Sequence, residues 1–383
     1  MASYPASPKT PGQASRPKPV VPMFGQQCIS DILPTLIGRP PTAPSWLPDE
    51  VWHARQVVVL VLDGLGRNQL DERASIAPTM TAMGPGWLTS VAPSTTAAAL
   101  TSITTGVPPG EHGVVGYRVR VQGDVLNTLR WQLDDGGDAR RKLPASEFQP
   151  VEPFLGTSPD VVADYRFQTT GFSEAQLRNG RWRPWSVVSG IVAQSDAAIR
   201  AGANLVYAYY DGIDKVSHLS GLGDAFDLEV RFSDNLVEML LDTLPSGTAL
   251  VVTADHGQVH VGDRTIRLSQ SVTSLTTALS GEGRFRWLHC RPNDQAELLR
   301  RARDEYGDVA WVEHVDDIVA ARWFGPMVSD AARSRLGDVA LVPFEPISFD
   351  DPADGGSFEL IGRHGSLTPD EMYVPLLTAV ANG

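Results

Sequence analysis

Three short apolar segments of this chain each run towards an aspartate. Residues 57–62 precede Asp63, residues 247–254 precede Asp255, and residues 204–210 form the third segment. A continuous apolar run of this kind is typical of a strand buried on both faces of a parallel sheet. Ligands bind where the carboxyl ends of such strands meet, so we expect the aspartates to share one sheet edge. One aspartate alone would be weak evidence, because Asp-Gly is also a common turn.

Helical segments separate these apolar runs. The pattern predicts helices over 67–74, 187–202 and 226–244, a further strand over 86–93, and a last strand or helix over 372–380 that rejoins the sheet. Strands that alternate with helices are typical of α/β proteins. We therefore predict an α/β fold with a mostly parallel central sheet.

A cluster of hydroxyl residues precedes an alanine run. Ser94, Thr95 and Thr96 stand just before 97–99, which predicts the beginning of a helix. Capping of the helix explains such hydroxyls in most proteins, but only one is needed as a cap. The same position places a hydroxyl at the positive end of the helix dipole, where a phosphate is favoured.

Histidines accompany two of the three strand ends. Asp214 and His218 are four positions apart, so a helix would place both on one face. Asp255 is followed directly by His256. Such Asp/His pairs can bind a divalent cation, although an ion pair is the simpler explanation for Asp214 and His218. With His364 near the carboxyl terminus, the chain offers three imidazoles and three carboxylates, enough for two sets of three ligands.

The composition changes after about residue 262. Strands over 283–290 and 309–314 and helices over 294–306 and 316–323 predict a βαβ-like unit with more surface charge. We interpret residues 262–355 as a small inserted α+β cap. His289 and His314 lie on its strands, and we expect them to be packed or half-exposed rather than metal ligands.

The remaining domain boundaries follow from composition. Residues 1–22 are rich in Pro, Ser, Lys and Ala and predict a disordered tail. Residues 23–261 and 356–383 would then form the catalytic domain.

Charge and cysteine content exclude several classes of protein. A net charge of -13 argues against a nucleic-acid polymer as partner, but not against a small phosphorylated substrate. No run of eighteen apolar residues occurs, so we expect no membrane span. Cys28 and Cys290 are expected to be reduced thiols, with one long-range disulfide as the alternative. Because the amino terminus also has no apolar signal segment, we expect a cytoplasmic protein.

The order of these motifs carries a family resemblance. Along the chain they are Asp63-Gly64, Thr96 at a helix start, Thr105-Gly106, His112-Gly113, Asp214-x-x-x-His218, Asp255-His256-Gly257 and His364-Gly365. This order resembles the alkaline phosphatase superfamily and, within it, the type I phosphodiesterase/nucleotide pyrophosphatase family. Each motif is weak alone, whereas their order rarely occurs by chance. The resemblance covers roughly residues 55–260 and 360–380.

The resemblance implies a fold and a reaction. The fold would be an alkaline phosphatase-like three-layer sandwich, and the cofactors two divalent metal ions, zinc or alternatively manganese. The implied metal ligands are, for one ion, Asp63, Asp255 and His256 together with Thr96, and for the other Asp214, His218 and His364. Thr96 would be the nucleophile, attacking a phosphodiester or pyrophosphate bond of a small nucleotide-like substrate to give a phospho-threonine that is then hydrolysed.

Two departures from the family pattern affect how the phosphoryl oxygens are bound. Ala99 stands where the family often has an asparagine, and 97–98 are alanines in place of Phe-Pro. Arg67, Arg118 or a loop arginine could substitute. The alternatives are therefore a phosphomonoesterase, a phosphonate hydrolase or a phosphomutase on the same scaffold, and a catalytically silent binding module.

Overall fold

A seven-stranded sheet forms the centre of the protein, for which a computed structural model describes residues 16–354 and 359–382. The strands of the described chain are β1 (Val57–Leu62), β2 (Trp87–Thr89), β3 (Arg118–Val121), β4 (Asp124–Asn127), β5 (Gln132–Leu133), β6 (Asp160–Asp164), β7 (Arg181–Trp185), β8 (Leu205–Tyr210), β9 (Ala249–Thr253), β10 (Val259–His260), β11 (Thr265–Ile266), β12 (Thr276–Glu282), β13 (Phe285–Cys290), β14 (Ala310–His314), β15 (Val339–Pro343), β16 (Ser348–Phe349), β17 (Gly362–Arg363) and β18 (Tyr373–Val380).

The α-helices lie between these strands in the chain. They are α1 (Ile32–Gly38), α2 (Asp49–His53), α3 (Arg67–Glu72), α4 (Pro78–Ala82), α5 (Thr96–Thr105), α6 (Pro109–His112), α7 (Ala145–Phe148), α8 (Gly171–Leu177), α9 (Ser189–Arg200), α10 (Gly212–Ser220), α11 (Asp224–Thr243), α12 (Gln270–Thr273), α13 (Gln295–Tyr306), α14 (Val315–Ala320), α15 (Asp330–Arg333) and α16 (Pro369–Met372).

The central sheet has the order β2-β18-β9-β1-β8-β6-β7. All pairs from β9 to β7 are parallel, whereas β18 is antiparallel to both β9 and β2. Every residue of β1 and β9 is buried. The helices pack as two groups, α11 with α4 and α9, and α5 with α1 and α8. The prediction of an α/β fold with a mostly parallel central sheet is confirmed.

The register of the central strands aligns their carboxyl ends. Leu62 of β1 pairs with Tyr210 of β8, and Val61 pairs with Thr253 of β9. Because the three strands end at the same level, the residues that follow them share one edge of the sheet. The predicted helices over 187–202 and 226–244 are α9 and α11.

The predicted strand over 86–93 is shorter than expected. Only β2 pairs with the sheet, and the residues after it turn towards α5. The segment over 372–380 was predicted to be either a strand or a helix, and it is the strand β18.

A second sheet and a second hydrophobic core lie in the region predicted as a cap. The order is β12-β13-β15-β14 with every pair antiparallel, and a cluster of buried residues between Leu268 and Phe349 packs against it. The predicted βαβ-like unit is wrong in one respect: β13 and β14 are not neighbours, because β15 lies between them. The predicted boundary at residue 356, where the catalytic domain would resume, falls within 355–358, outside the described residues.

Part of the predicted tail packs on the domain. Residues 1–15 lie outside the described chain, but Arg16 contacts Glu313, the Pro17 carbonyl accepts a hydrogen bond from the Trp311 indole, and the Val20 amide donates to Leu367. These contacts correct the predicted extent of the tail for residues 16–22.

Two further expectations concern the cysteines and the absence of a membrane span. Cys28 and Cys290 are both free thiols, as predicted. Among the described residues, none of the helices combines the length and apolarity needed to cross a membrane.

Candidate metal centre

Two turns at the carboxyl edge of the sheet bring the first acidic residues together. Asp63 follows β1 and Asp255 follows β9. The Gly64 amide donates a hydrogen bond of 3.1 Å to Asp255 Oδ1. Gly64 has a φ of 80°, and a side chain there would lie 3.0 Å from the backbone of Asp214. Glycine is therefore required both for the turn and for the close approach of α10.

His256 lies between these two carboxylates. Its Nε2 is 3.4 Å from Asp63 Oδ1 and 3.3 Å from Asp255 Oδ2. Its Nδ1 lies 3.1 Å from the Gly257 carbonyl, so Nδ1 carries the proton and Nε2 offers its lone pair. Within the described chain, Asp63 Oδ1 and Asp255 Oδ2 are buried and have no hydrogen-bond partner. The three donor atoms thus face one another.

Asp214 and His218 occupy one face of α10, as the spacing predicts. Asp214 Oδ1 is 3.3 Å from His218 Nε2 and accepts a hydrogen bond of 2.6 Å from Gln258. The His218 Nδ1 faces the Gly362 carbonyl at 2.7 Å. This backbone contact directs the other ring nitrogen towards Asp214.

Long-range pairing brings His364 to the same place. Strand β17 pairs with β10, which closely follows His256, and the Ser94 amide donates to the Gly365 carbonyl at 3.1 Å. His364 Nδ1 lies 2.9 Å from the Ser94 carbonyl, and its Nε2 is 3.7 Å from Asp214 Oδ1. All six predicted ligands therefore converge on one site.

The grouping of the ligands differs in one detail from the implied division. Donor atoms of Asp63, Asp255 and His256 lie within 4.8 Å of one another, and so do those of Asp214, His256 and His364. The rings of His256 and His364 stack at 3.6 Å, whereas His218 and His364 are 5.2 Å apart. His256 thus belongs to both groups, and His218 flanks the second.

Thr96 lies at the centre of this arrangement. It is the first residue of α5, it is 8% exposed, and its hydroxyl lies 3.1 Å from His256 Nε2. The Thr95 side chain does not cap the helix, and the Ser94 hydroxyl donates to the Ser366 carbonyl instead. Helix capping therefore does not explain these hydroxyls.

The electrostatics of the cluster fit divalent cations. Burial and the nearby Asp255 and Asp214 raise the pKa of Asp63, and burial also raises the pKa of Asp255. Burial and the other two imidazoles lower the pKa of His364. Buried carboxylates without a partner are unfavourable unless a positive charge is added, and carboxylates and imidazoles together form the ligand set of zinc and similar metals.

The other histidines serve the local structure. His289 hydrogen-bonds Ser280 Oγ at 2.7 Å, and His314 accepts from the Asp316 amide at 3.2 Å and so caps α14. Both match the prediction of packed or half-exposed residues. His112 faces Ser102 Oγ at 2.9 Å, and burial lowers its pKa to about 3. His260 lies against Gly221, directly after α10.

Two of the arginines proposed to bind phosphate have other partners. Arg67 is buried and forms an ion pair with Asp71. Arg118 is also buried, and it contacts Asp134 at 2.9 Å and Asp351 at 3.6 Å. Neither is oriented as a free cation for substrate.

Two cavities meet at Thr96. The one we call the apolar cavity has a volume of about 580 Å³, and the one we call the charged cavity has about 390 Å³. The apolar cavity is lined by, among others, Leu100, Phe167, Phe172, Leu177, Tyr207 and Gln176. The charged cavity is lined by, among others, Thr95, Tyr117, His218, Glu282 and Arg363. Both cavities share Thr96, Leu129, Arg130 and Asp214.

Glu282 reaches the charged cavity from the cap, and sequence reasoning missed it. It is the last residue of β12, and its Oε1 is buried without a hydrogen-bond partner in the described chain. Burial raises its pKa to about 8, although Thr95 and Arg286 oppose the shift. A side chain at Gly365 would lie 2.8 Å from the Glu282 carboxyl carbon. The glycines on both sides of Glu282 were the only signal in the sequence.

A comparison with protein families decides the identity. The family model for type I phosphodiesterase/nucleotide pyrophosphatase matches residues 57–367. The chain belongs to this family. The predicted family and the predicted class of enzyme, a phosphodiesterase/nucleotide pyrophosphatase-like hydrolase, are therefore confirmed. Among curated protein sequences, nothing matches this member of the family.

Solved structures support the fold of this phosphodiesterase family member. An inactive variant of murine ectonucleotide pyrophosphatase/phosphodiesterase 5 in complex with AMP has a TM-score of 0.62 at 15% identity, over 85% of this chain and 87% of that one. The human protein has a TM-score of 0.59 at 17% identity, over 84% and 87%. Phosphonoacetate hydrolase from Sinorhizobium meliloti, in complex with phosphonoformate, has a TM-score of 0.61 at 18% identity, over 85% and 90%.

Proposed function

We propose that this family member is a metal-dependent phosphodiesterase that cleaves phosphodiester or pyrophosphate bonds of a small, nucleotide-like molecule, with Thr96 as the nucleophile. The observation that supports this best is the position of the Thr96 hydroxyl, 3.1 Å from His256 Nε2 and at the junction of the two cavities. A reactive hydroxyl needs such a position beside both its activating groups and its substrate.

The family depends on two metal ions, and the clustered residues suit them. Asp63, Asp255, His256 and Thr96 would hold one ion. Asp214, His218 and His364 would hold the other. Mixed imidazole and carboxylate ligands favour zinc, with manganese as the alternative. When bound, the ions supply positive charge that lowers the pKa of a hydroxyl and stabilises the oxygens of an in-line displacement.

The reaction would proceed in two displacements. The Thr96 Oγ1 forms a bond to phosphorus while the bond to the leaving oxygen breaks, and the proton of the hydroxyl is released to solvent. Water then attacks the phospho-threonine: its oxygen bonds to phosphorus while the bond between phosphorus and Thr96 Oγ1 breaks, and a proton from the water restores the threonine hydroxyl. The helix dipole of α5 places partial positive charge at the phosphoryl group in both steps.

The two cavities favour a diester over a monoester. A phosphodiester carries an organic group on each side of phosphorus, and in-line attack holds the leaving group opposite the nucleophile. The apolar cavity would accommodate a ring against Phe167 and Phe172. Tyr207 Oη and Gln176 Oε1 are buried there without partners in the described chain and would meet its polar edge. The charged cavity would take the other substituent.

Hydrolysis of model substrates tests this proposal. The metal-loaded enzyme should hydrolyse bis-para-nitrophenyl phosphate with a kcat/KM at least about 10-fold above that for para-nitrophenyl phosphate, which corresponds to about 1.4 kcal/mol of transition-state binding. Phosphonoacetate serves as the third substrate. A clear preference for the monoester or for the phosphonate would contradict the proposal and support the monoesterase or phosphonate hydrolase instead.

A further inference from the structure

The phosphoryl oxygens need a binding group that the family pattern does not supply here. Ala99 has no polar side chain, and Arg67 and Arg118 are bound to carboxylates of their own. The residues that surround Thr96 are mostly acidic or imidazole groups. A further cation beside Thr96 would therefore complete the site proposed above.

Arg130 is the basic residue that lines both cavities together with Thr96. Within residues 16–354 and 359–382, its guanidinium has no carboxylate within 4.0 Å and no hydrogen-bond partner. Arg166, nearby in the apolar cavity, differs in that it contacts Asp164 through two hydrogen bonds of 3.0 Å. Arg130 thus presents an uncompensated positive charge where the two cavities meet.

The backbone beside Arg130 is held on both sides. The Arg130 amide donates a hydrogen bond of 3.0 Å to Asn127 Oδ1, and the Thr128 hydroxyl donates to the Gly116 carbonyl at 3.0 Å. Trp131 is buried, donates from its indole to the Leu143 carbonyl at 2.8 Å, and packs edge-to-face on Phe148 at 5.4 Å. The turn is therefore positioned before any ligand binds, which reduces the conformational entropy lost when a ligand binds to the Arg130 side chain.

We propose that Arg130 binds the non-bridging oxygens of the phosphoryl group during attack by Thr96. This inference rests on the proposed function. A planar guanidinium can donate two parallel hydrogen bonds to two oxygens of one phosphate. As phosphorus changes geometry, charge accumulates on these oxygens, and a donor pair that binds them stabilises that state more than the bound substrate. Arg130 then compensates for the absence of a polar residue at position 99.

Substitution of Arg130 tests the inference. Arg130→Ala should lower kcat/KM for bis-para-nitrophenyl phosphate by about 10²–10³-fold, the usual effect of removing one such donor. Metal content should not change, because Arg130 is not a metal ligand. Arg130→Lys should recover only part of the loss, since lysine keeps the charge but cannot donate two parallel hydrogen bonds. Arg200→Ala is the matched control: Arg200 is exposed and forms an ion pair with Asp196, and its replacement should have no effect.

A binding measurement separates this inference from the proposed function. The inhibition constant of inorganic phosphate, or its dissociation constant by calorimetry on the metal-loaded protein, should rise at least about 10-fold in Arg130→Ala, the equivalent of one charge-assisted hydrogen bond. If the wild type lacks diesterase activity but phosphate binding weakens in the variant, the inference stands and the function fails. If the wild type is an active diesterase and Arg130→Ala retains activity and phosphate affinity within about 3-fold, the inference is overturned and the function stands.

Discussion

The edge of the central sheet and the cap both contain buried charge, but they compensate it differently. At the sheet edge, Asp63 Oδ1 and Asp255 Oδ2 have no partner in the described chain. In the region predicted as a cap, Arg284 is fully buried and donates two hydrogen bonds, of 2.7 and 2.8 Å, to the buried Glu371 of α16. A buried charge that the protein leaves unpaired requires a partner from outside, whereas a paired one holds structure together.

The difference also shows how the cap contributes to the site. Arg284 is at the tip of the β12–β13 hairpin and is tied to Glu371, whose Oε1 also accepts from the Ser366 amide at 3.0 Å. The same tip presents Glu282, whose Oε1 is unpaired, to the charged cavity. One residue of the hairpin thus fixes it to α16, and the other faces the charged cavity.

The largest expected effect concerns the nucleophile. Thr96→Ala should lower turnover of a diester by at least about 10⁴-fold, because the reacting oxygen is removed. Bound metal, measured by plasma emission spectroscopy, should remain near the wild-type level, since the carboxylates and imidazoles are its main anchors. Near-native turnover in Thr96→Ala would show that another group is the nucleophile.

Removal of an unpaired carboxylate should weaken metal binding but should not destabilise the metal-free protein. Asp255→Asn keeps an oxygen for the Gly64 and His256 amides but removes the charge. Metal affinity should fall more than about 100-fold, and activity with it. The metal-free protein should be as stable as the wild type or more stable, because a repulsive buried charge is gone. Urea denaturation in the presence of a chelator measures the stability of the metal-free protein. A clear loss of stability in Asp255→Asn would contradict this prediction.

Removal of a paired charge should destabilise the protein in every state. Arg284→Met leaves Glu371 buried without its cation and should cost about 3–5 kcal/mol of unfolding free energy. The matched control is Arg300→Met, since Arg300 lies on the surface of the same region and pairs with Glu297. Its loss should cost less than about 1 kcal/mol. Denaturant titrations measure both losses of unfolding free energy. Equal losses for the two variants would contradict the claim that the buried, paired charge stabilises the protein.

The last prediction concerns the pH dependence of stability. Since burial raises the pKa of Glu282 from 4.5 to about 8, the folded state binds more protons at this residue than the unfolded state within that window. Its contribution to stability is therefore complete below the lower value and declines as the pH rises to the upper one. Glu282→Gln should abolish this decline. We expect the stability of the wild type minus that of the variant to fall between pH 4.5 and 8, and a flat difference would contradict the burial argument.

Local sequence predicted the sheet edge because its residues are adjacent to strands. Asp63, Asp255 and His256 follow apolar runs directly, and the helical spacing of Asp214 and His218 is visible without a structure. The role of Thr96 as nucleophile and the division of the ligands between two ions came from the resemblance to a known family. Because parallel strands were predicted, their carboxyl ends were expected to meet at one edge.

The cap could not be predicted to the same extent, because its contacts are long-range. Arg284 and Glu371 are 87 positions apart, so no local pattern links them. The short strand β15 inserts between β13 and β14, and its place in the sheet depends on packing rather than on periodicity. Likewise, the sequence did not indicate which arginine lines the same cavities as Thr96, and the fold shows that Arg130 does.

Anomalous diffraction from crystals of the zinc-loaded protein tests the central claim most directly. Data collected on both sides of the zinc absorption edge should show two peaks per chain beside the Thr96 hydroxyl, one among Asp63, Asp255 and His256 and one among Asp214, His218 and His364. Zinc bound only elsewhere, or no zinc peak among these side chains, would contradict the account of a two-metal site.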